Sequence, residues 1–417
     1  MTRPDYRPFV PAPGQSNIAG PTPRTHAQAR MQNPRAKELF GTWAKLGAAP
    51  FKGLTTDGHV RPGLFSLQPQ DAPTPAMVAA VHDLLRRLSP EHRRAACHPV
   101  DSQFWRHWQN TEIYVEQHGL RLDEVDSSIR AATMAVLRAS LSGKGYDVAR
   151  GVMKLNRFLG DLVGGPDVLG EWAYIFCLFG EPSESEPWGW QLFGHHLSLN
   201  CLVIGRQMVL TPCFFGAEPN YADTGPFAGT RLFEDEERAG LALMRSLSTE
   251  QQNTAIVAHA MMGGDLPAGR RHFADNLHLG GAFQDNRIVP YEGLRGSAMS
   301  AQQRRDLMDL VAAYVAPLPE GPLAARLDEV ERHLADTHFC WIGGVGEASP
   351  FYYRIQSPVI FIEFDHHAGV FLTNAEPAKF HVHTIVRTPN GNDYGIDLLR
   401  LHYQHAPHHR HGHRSPP

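Results

Sequence analysis

The sequence predicts an α+β protein, in which a helical N-terminal region packs on a largely antiparallel β-sheet formed by the middle and C-terminal segments. Two observations favour this class. Helical periodicity dominates as far as about residue 165, and strand-like runs rich in aromatic and β-branched residues begin at residue 171 and return after residue 338. The 417 residues are 42% hydrophobic and 20% charged, which is ordinary for a globular protein and excludes a disordered or collagen-like chain.

The N-terminal third is expected to be an arm followed by helices. Residues 1–33 are rich in Pro, Gly, Arg and Gln and lack apolar periodicity, which predicts an extended arm lying on the body or on a partner subunit of a homo-oligomer. Helices are predicted over 34–49, 76–88, 123–140 and 146–163, with a loop or short strands at 50–73. Gly143 and Gly145, between the last two helices, are expected to form a C-cap and turn.

The rest of the chain is expected to contribute most of the sheet. Strand-like runs cover 171–180, 188–205, 207–212, 338–343, 351–364 and 380–388. Helices are predicted over 233–247, 302–315, 322–335 and 396–404. Residues 34–404 are therefore expected to form one domain, helical over 34–165 and mixed over 166–404, and the His-rich residues 405–417 are expected to be a disordered tail.

Charge and cysteine content exclude several classes of protein. The formal net charge is −4 (39 Lys+Arg, 43 Asp+Glu), so no basic surface for nucleic acid is expected. The five cysteines are widely spaced without a C-x-x-C, which indicates reduced thiols rather than a disulfide framework. We find neither an apolar N-terminal leader nor a membrane-spanning run, so a cytoplasmic protein that does not enter a membrane is expected.

Histidine is unusually frequent, with 24 residues. Three segments place polar residues on predicted strands that are otherwise apolar. His381 and His383 are two apart, so on a strand both rings project to one face and are placed to bind one metal ion. Glu363 interrupts the run PVIFIEFD. A buried carboxylate there must be protonated, bound to a metal or paired, with Arg354 or Arg387 as the alternative partner.

His195 and His196 are expected to lie on a strand and to point to opposite faces, so that at most one of them enters the site. We favour His196, because its face also carries Ser198 and Asn200. The predicted metal ligands are thus His196, Glu363, His381 and His383. His366 and His367, at a strand end, are rival ligands, and the tail histidines are a further alternative.

Four of these segments resemble a known family. They are WGWQLFGHHLSLN, TPCFFGAEPN, YYRIQSPVIFIEFD and HVHTIVRTPNGNDYGIDLLRLHY, and they are similar to the DUF3500 family of bacterial and fungal proteins of unknown function. The resemblance includes all four predicted ligands and implies that these positions matter, but it implies no activity. His366 and His367 lie outside the similar positions, which disfavours them as ligands.

The function expected from these residues is that of a metal-dependent enzyme acting on a small organic substrate. Two histidines and a carboxylate suit one divalent ion, with zinc and a hydrolytic reaction favoured. A non-haem iron oxygenase or lyase with the same ligands is the alternative, and a non-enzymatic metal- or ligand-binding protein is a second class. Arg387 is expected to clamp a substrate carboxylate, Asp393 or His402 to orient a ligand, and His195 to carry a proton.

Overall fold

One sheet of twelve strands and eleven α-helices make up residues 5–116 and 118–405, the part of the chain that this computed structural model describes. The strands are β1 Cys97–His98, β2 Leu120–Arg121, β3 Tyr174–Phe179, β4 Trp188–Gly194, β5 Leu197–Ile204, β6 Gln207–Ala217, β7 Ile256–Ala258, β8 Leu294–Arg295, β9 His338–Gly343, β10 Phe351–Gln356, β11 Phe361–His366 and β12 Val382–Arg387. The helices are α1 Pro23–Arg30, α2 Pro34–Ala48, α3 Thr74–Arg87, α4 Pro90–Ala96, α5 Ser127–Ser140, α6 Gly143–Val163, α7 Glu234–Ser246, α8 Thr249–Ala255, α9 Ala301–Val315, α10 Glu320–Arg332 and α11 Ile396–His405.

The sheet joins the middle and the C-terminal segment of the chain, as predicted. Its order is β1-β3-β4-β5-β6-β12-β11-β10-β9-β7, with β2 beside β3 and β8 beside β9. The pairs β1–β3 and β7–β9 are parallel and the others are antiparallel. At the centre β6 pairs with β12, so that Gly216 lies opposite His383. The α+β class is therefore confirmed.

The predicted helices are present, but the boundary before α6 was wrong. Ser142 is the N-cap of α6, and its hydroxyl accepts a hydrogen bond from the Gly145 amide at 3.0 Å. Gly143 and Gly145 therefore lie in the first turn of α6 instead of forming a loop. Gly145 suits this position because a Cβ there would lie 2.6 Å from Cα of Pro317.

The N-terminal arm lies on the body of its own chain. Tyr6 is fully buried and its hydroxyl donates to Asp223, while the Thr373 amide donates to the Phe9 carbonyl at 2.8 Å. The arm also contains α1, which the sequence analysis did not predict. At the other end, residues 406–417 of the expected disordered tail lie outside the described residues. Among the helices that the structure describes, none is long and apolar enough to cross a membrane.

An irregular stretch covers one face of the sheet. Residues 259–293, between β7 and β8, contain neither an α-helix nor a strand, and we call them the covering segment. They contact β10, β11 and β12 through backbone groups: the Leu277 and Leu279 amides donate to side chains of β11, and the Val289 carbonyl accepts from Gln356 of β10. The polar side chains of this face are thereby enclosed.

Candidate metal centre

Three histidines from distant parts of the chain meet on the covered face of the sheet. His383 lies in β12, His381 immediately precedes β12, and His196 lies in the turn between β4 and β5. Nε2 of His381 is 3.3 Å from Nε2 of His196 and 3.1 Å from Nε2 of His383. Among the described residues these side chains are the group of three potential ligands whose atoms all lie within 4.8 Å of one another. All three are buried.

The two nitrogen spacings around His381, 3.1 and 3.3 Å, are close to those around a tetrahedral metal ion. Two nitrogens bound about 2.0–2.1 Å from zinc at a tetrahedral angle lie about 3.3–3.4 Å apart. Nδ1 of His381 is 2.9 Å from the Ala368 carbonyl oxygen, so Nδ1 carries the proton and Nε2 presents its lone pair. Burial lowers the pKa of His196, His381 and His383, which favours the neutral imidazole that metal coordination requires.

The backbone around His196 explains how its ring reaches the other two. His196 has a φ of 63°, in the left-handed region, and its carbonyl accepts a hydrogen bond of 2.7 Å from the Gly216 amide of β6. A Cβ at Gly216 would lie 2.9 Å from Cδ2 of His383 and 3.0 Å from Cδ2 of His196. Gly216 thus provides the space that the two rings occupy.

His195 does not point away from His196 as expected. The two residues form the turn itself rather than a strand, and their rings stack with centroids 3.9 Å apart. Nδ1 of His195 lies 2.7 Å from Oδ1 of Asn156, and burial lowers its pKa to about 4. His195 therefore supports the ring of His196 and is anchored to α6.

Glu363, one of the four predicted ligands, lies outside the three-histidine group. Its carboxylate accepts hydrogen bonds from the Leu279 amide at 2.9 and 3.0 Å, the Gly280 amide at 2.8 Å and the Tyr352 hydroxyl at 2.6 Å. Burial raises the pKa of Glu363, but the neighbouring His278 and the Tyr352 hydroxyl outweigh burial and leave it below its usual value. Amides of the covering segment and the Tyr352 hydroxyl thus provide hydrogen-bond donors to this buried carboxylate.

Arg387 and Asp393 belong to a buried ion network. Nε of Arg387 donates to Asp393 at 2.9 Å, Nη2 donates to Asp285, and Nη1 donates to the Gly280 carbonyl at 3.2 Å. Asp285 also accepts from Nε of Arg106 at 2.8 Å. Each nitrogen of the Arg387 guanidinium therefore has a partner within the protein, which leaves it badly placed to clamp a substrate carboxylate.

His402 lies apart from the three histidines. It is in α11, and its Nε2 is 3.5 Å from a carboxylate oxygen of Glu186. Of the eight predicted site residues, the structure thus brings three together as one group, and His195 stacks on one of them. The other four make contacts outside this group: Glu363, Arg387, Asp393 and His402.

Further polar groups lie beside His383: His367, which was predicted as a rival ligand, and Asp365 and His278, which were not predicted to belong to the site. Asp365 is directly opposite His383 in the β11–β12 pairing, and the ring of His367 lies 3.7 Å from that of His383. Oδ1 of Asp365 and Nε2 of His278 are buried without a hydrogen-bond partner among the described residues. Burial raises the pKa of Asp365 to about 7.

A signal for two of these residues was available in the sequence. Glu363, Asp365 and His367 alternate at period two, which predicts a shared polar face on a strand that otherwise reads as core. His278, in contrast, lies in the covering segment, whose sequence has no periodicity from which its position could be inferred.

The class that the fold and this site define is an α+β protein with a buried group of three histidines. Comparison with known families then identifies it further: a family model described as a protein of unknown function (DUF3500) matches residues 70–396, and the chain belongs to this family. The match spans the three histidines and ends before His402. No curated protein and no solved structure matches the chain.

Proposed function

We propose that this protein is a metal-dependent enzyme in which His196, His381 and His383 hold one divalent metal ion, and that it hydrolyses a small organic substrate. The observation that supports the proposal is the convergence of three Nε2 atoms at 3.1 and 3.3 Å around His381. Three histidine ligands leave one coordination position for water or substrate, as in catalytic zinc sites.

The donor set favours zinc over iron. Non-haem iron oxygenases use two histidines and one carboxylate, and Glu363, the carboxylate that suggested this alternative, is bonded to two backbone amides and a tyrosine. Three neutral imidazoles instead match the ligands of hydrolytic zinc centres. Neutral imidazole nitrogens at these distances suit a divalent ion with tetrahedral coordination.

The residues around the histidines have separate roles in this proposal. A zinc ion bound here would lower the pKa of a bound water and polarise a carbonyl group. The Ala368 carbonyl holds the proton of His381 on Nδ1 and so keeps Nε2 available. Asp365, with Oδ1 unpartnered beside His383, would accept the proton that a metal-bound water releases, and Nε2 of His367 lies 3.1 Å from its Oδ2.

Elemental analysis of the protein tests the proposal. The chain is purified without a metal-affinity step and with residues 405–417 deleted, because the tail histidines themselves bind metal. We expect about one equivalent of zinc, lost in His383→Ala. Val382→Ala is the matched control: its side chain points to the opposite face of β12, so metal stays bound while the free energy of unfolding falls by about 1–3 kcal/mol.

The same tail deletion separates an enzyme from a metal-delivery protein. An enzyme retains its metal and its turnover of a panel of small esters and amides without residues 405–417, whereas a delivery protein loses most of its metal capacity. Retention of stoichiometric zinc in His383→Ala would show that the metal is bound elsewhere. A reducing, cytoplasmic location is part of the proposal, and it is supported by five cysteines that are all unpaired.

A further inference from the structure

Two buried arginines lie near enough to interact electrostatically on the covered face of the sheet, outside the three-histidine group. Arg270 belongs to the covering segment and is 7% exposed, and Arg354 lies in β10 and is 1% exposed. The guanidinium carbon of Arg270 lies 4.7 Å from the ring centroid of Tyr352, which precedes Arg354 by two positions on the same face of β10. The guanidinium carbon of Arg354 lies 5.9 Å from the ring centroid of Phe361, which belongs to the same face of the sheet.

These arginines carry donors that the protein does not use. Nη1 of Arg270 donates to the Leu277 carbonyl, but its buried Nε and Nη2 have no hydrogen-bond partner among the described residues, and no carboxylate oxygen of these residues lies within 4.0 Å of its nitrogens. Nη1 of Arg354 is likewise unpartnered, although its Nη2 donates to Glu292 at 2.8 Å and to the Pro290 carbonyl at 3.2 Å. Three N–H-bearing nitrogens are thus left for an acceptor.

A buried guanidinium without an acceptor is unfavourable for folding, because desolvation of the charge is not offset by hydrogen bonds. Sheet residues that serve packing alone are ordinarily apolar, and buried charges are ordinarily paired. Arg387, on the same face, illustrates the ordinary case, since all three of its nitrogens have partners. The unpartnered donors of Arg270 and Arg354 therefore indicate a ligand with oxygen acceptors.

We propose that Arg270 and Arg354 bind the carboxylate of the substrate, an inference that rests on the proposed function and specifies its substrate class. Nε and Nη2 of Arg270 form a planar fork that matches a carboxylate, and Nη1 of Arg354 supplies a further donor. Arg354 is already paired with Glu292. Arg270, which has no carboxylate oxygen within 4.0 Å, interacts with the more distant charge of Glu363, so a ligand with a single negative charge suits the pair. A doubly charged phosphate would be repelled by the neighbouring Glu363, which accepts the Tyr352 hydroxyl.

The position of the two arginines sets the size of this substrate. Tyr352, Asp365 and His383 lie opposite one another across β10, β11 and β12. Adjacent strands are about 4.8 Å apart, so β10 lies about 10 Å from the strand of His383. A small organic acid with its reacting bond several atoms from its carboxylate spans this distance. Arg270 and Arg354 thus take the role that the sequence analysis gave to Arg387.

Carboxylate binding by the full chain, dialysed against EDTA, tests the inference. Acetate and benzoate are titrated at constant ionic strength set with sodium chloride, with inorganic phosphate as comparator, and the midpoint of thermal unfolding is followed. We expect both carboxylates to raise the midpoint progressively with concentration, because they bind the folded state, and phosphate to raise it less. The rise should be lost in Arg270→Met and retained in Arg271→Met, the exposed neighbour in the same segment.

Arg270→Met also distinguishes a ligand-binding from a structural role. Without carboxylate its midpoint should equal or exceed that of the unaltered protein, because an unpaired buried charge has been removed. A structural arginine would instead leave the variant less stable. If Arg270→Met does not fold, Arg270→Lys replaces it: the charge remains, the fork is lost, and a reduced carboxylate response is expected.

Failure of this inference can be told apart from failure of the proposed function. His381→Ala should lose zinc but keep the carboxylate response, which excludes coordination of acetate by a metal as its cause. Absence of a response in the unaltered protein, an equal response in Arg270→Met, or a larger response to phosphate would overturn the inference. If the carboxylate inference fails in one of these ways but the protein still binds zinc normally, the proposed three-histidine metal site is not contradicted.

Discussion

The Nε2 atoms of His196 and His381 lie 3.3 Å apart although 185 positions separate the two residues in the sequence. The contact depends on the pairing of β6 with β12, which places the turn before β5 beside the start of β12. Gly216 lies beside the rings of His196 and His383 at this junction. A change at Gly216 should therefore act on the metal site more than on the fold.

Gly216→Ala should weaken zinc binding, because the new Cβ would lie within 3.0 Å of carbon atoms in both His383 and His196. The rings must move by several tenths of an ångström, which disturbs a coordination geometry fixed by distance. Competition with a chromogenic chelator measures the affinity. Gly41→Ala is the control: it is an exposed helical position with open space around Cβ, so it should keep the affinity and gain about 0.5–1 kcal/mol of stability. Equal affinities would show that Gly216 is not part of the site.

Glu363→Gln should leave the zinc content unchanged and destabilise the fold by about 1–3 kcal/mol. The carboxylate accepts hydrogen bonds from two backbone amides. In Gln one carboxylate oxygen is replaced by an NH₂ group, which is itself a donor and would face a donor. Elemental analysis and denaturant unfolding of the same preparation measure the two quantities. Loss of zinc without loss of stability would restore Glu363 as a ligand.

Asp365→Asn should flatten the dependence of stability on pH in the zinc-free protein. Burial raises the pKa of Asp365 to about 7 from the usual 3.8. Between these values the folded state retains a proton that the unfolded state has released, so its contribution to stability decreases as the pH rises through this window. The shift corresponds to a loss of up to about 4 kcal/mol in the free energy of unfolding. Asn is always neutral, so the variant does not undergo this loss. Denaturant midpoints measured from pH 4 to 8 check this, and parallel curves for the two proteins would contradict it.

Arg387→Met should destabilise the protein by about 3–5 kcal/mol while zinc remains bound. The substitution leaves Asp393 buried without its cation and Asp285 with Arg106 alone, which is costlier than the loss of the pair as a whole. Denaturant unfolding measures the change. Replacement of all three groups by apolar residues should recover part of the stability. A variant of unaltered stability that fails to bind carboxylates would instead support the substrate role predicted from the sequence.

Local patterns in the sequence were sufficient for the type of most elements and for one half of the site. Helical periodicity predicted α2, α3 and α9 closely, and the H-x-H spacing predicted that His381 and His383 share a face. The turn at His195 and His196 was predicted wrongly as continuous strand, because aromatic and apolar residues on both sides concealed a two-residue reversal. The alternation of polar residues at Glu363, Asp365 and His367 also indicated a shared polar face, but Asp365 was not predicted to belong to the site.

The sequence by itself determined the class of fold, the face of β12 that carries histidines and the membership in a family matched over residues 70–396. Only the tertiary structure decided which polar groups are partners: Glu363 with the amides of the covering segment, Arg387 with Asp285, and His196 with His381. The physical reason is that side-chain periodicity is a local property of the backbone, whereas the partner of a buried charge depends on the register of distant strands. The covering segment adds to this, because its irregular backbone amides satisfy Glu363 from positions that no local pattern predicts.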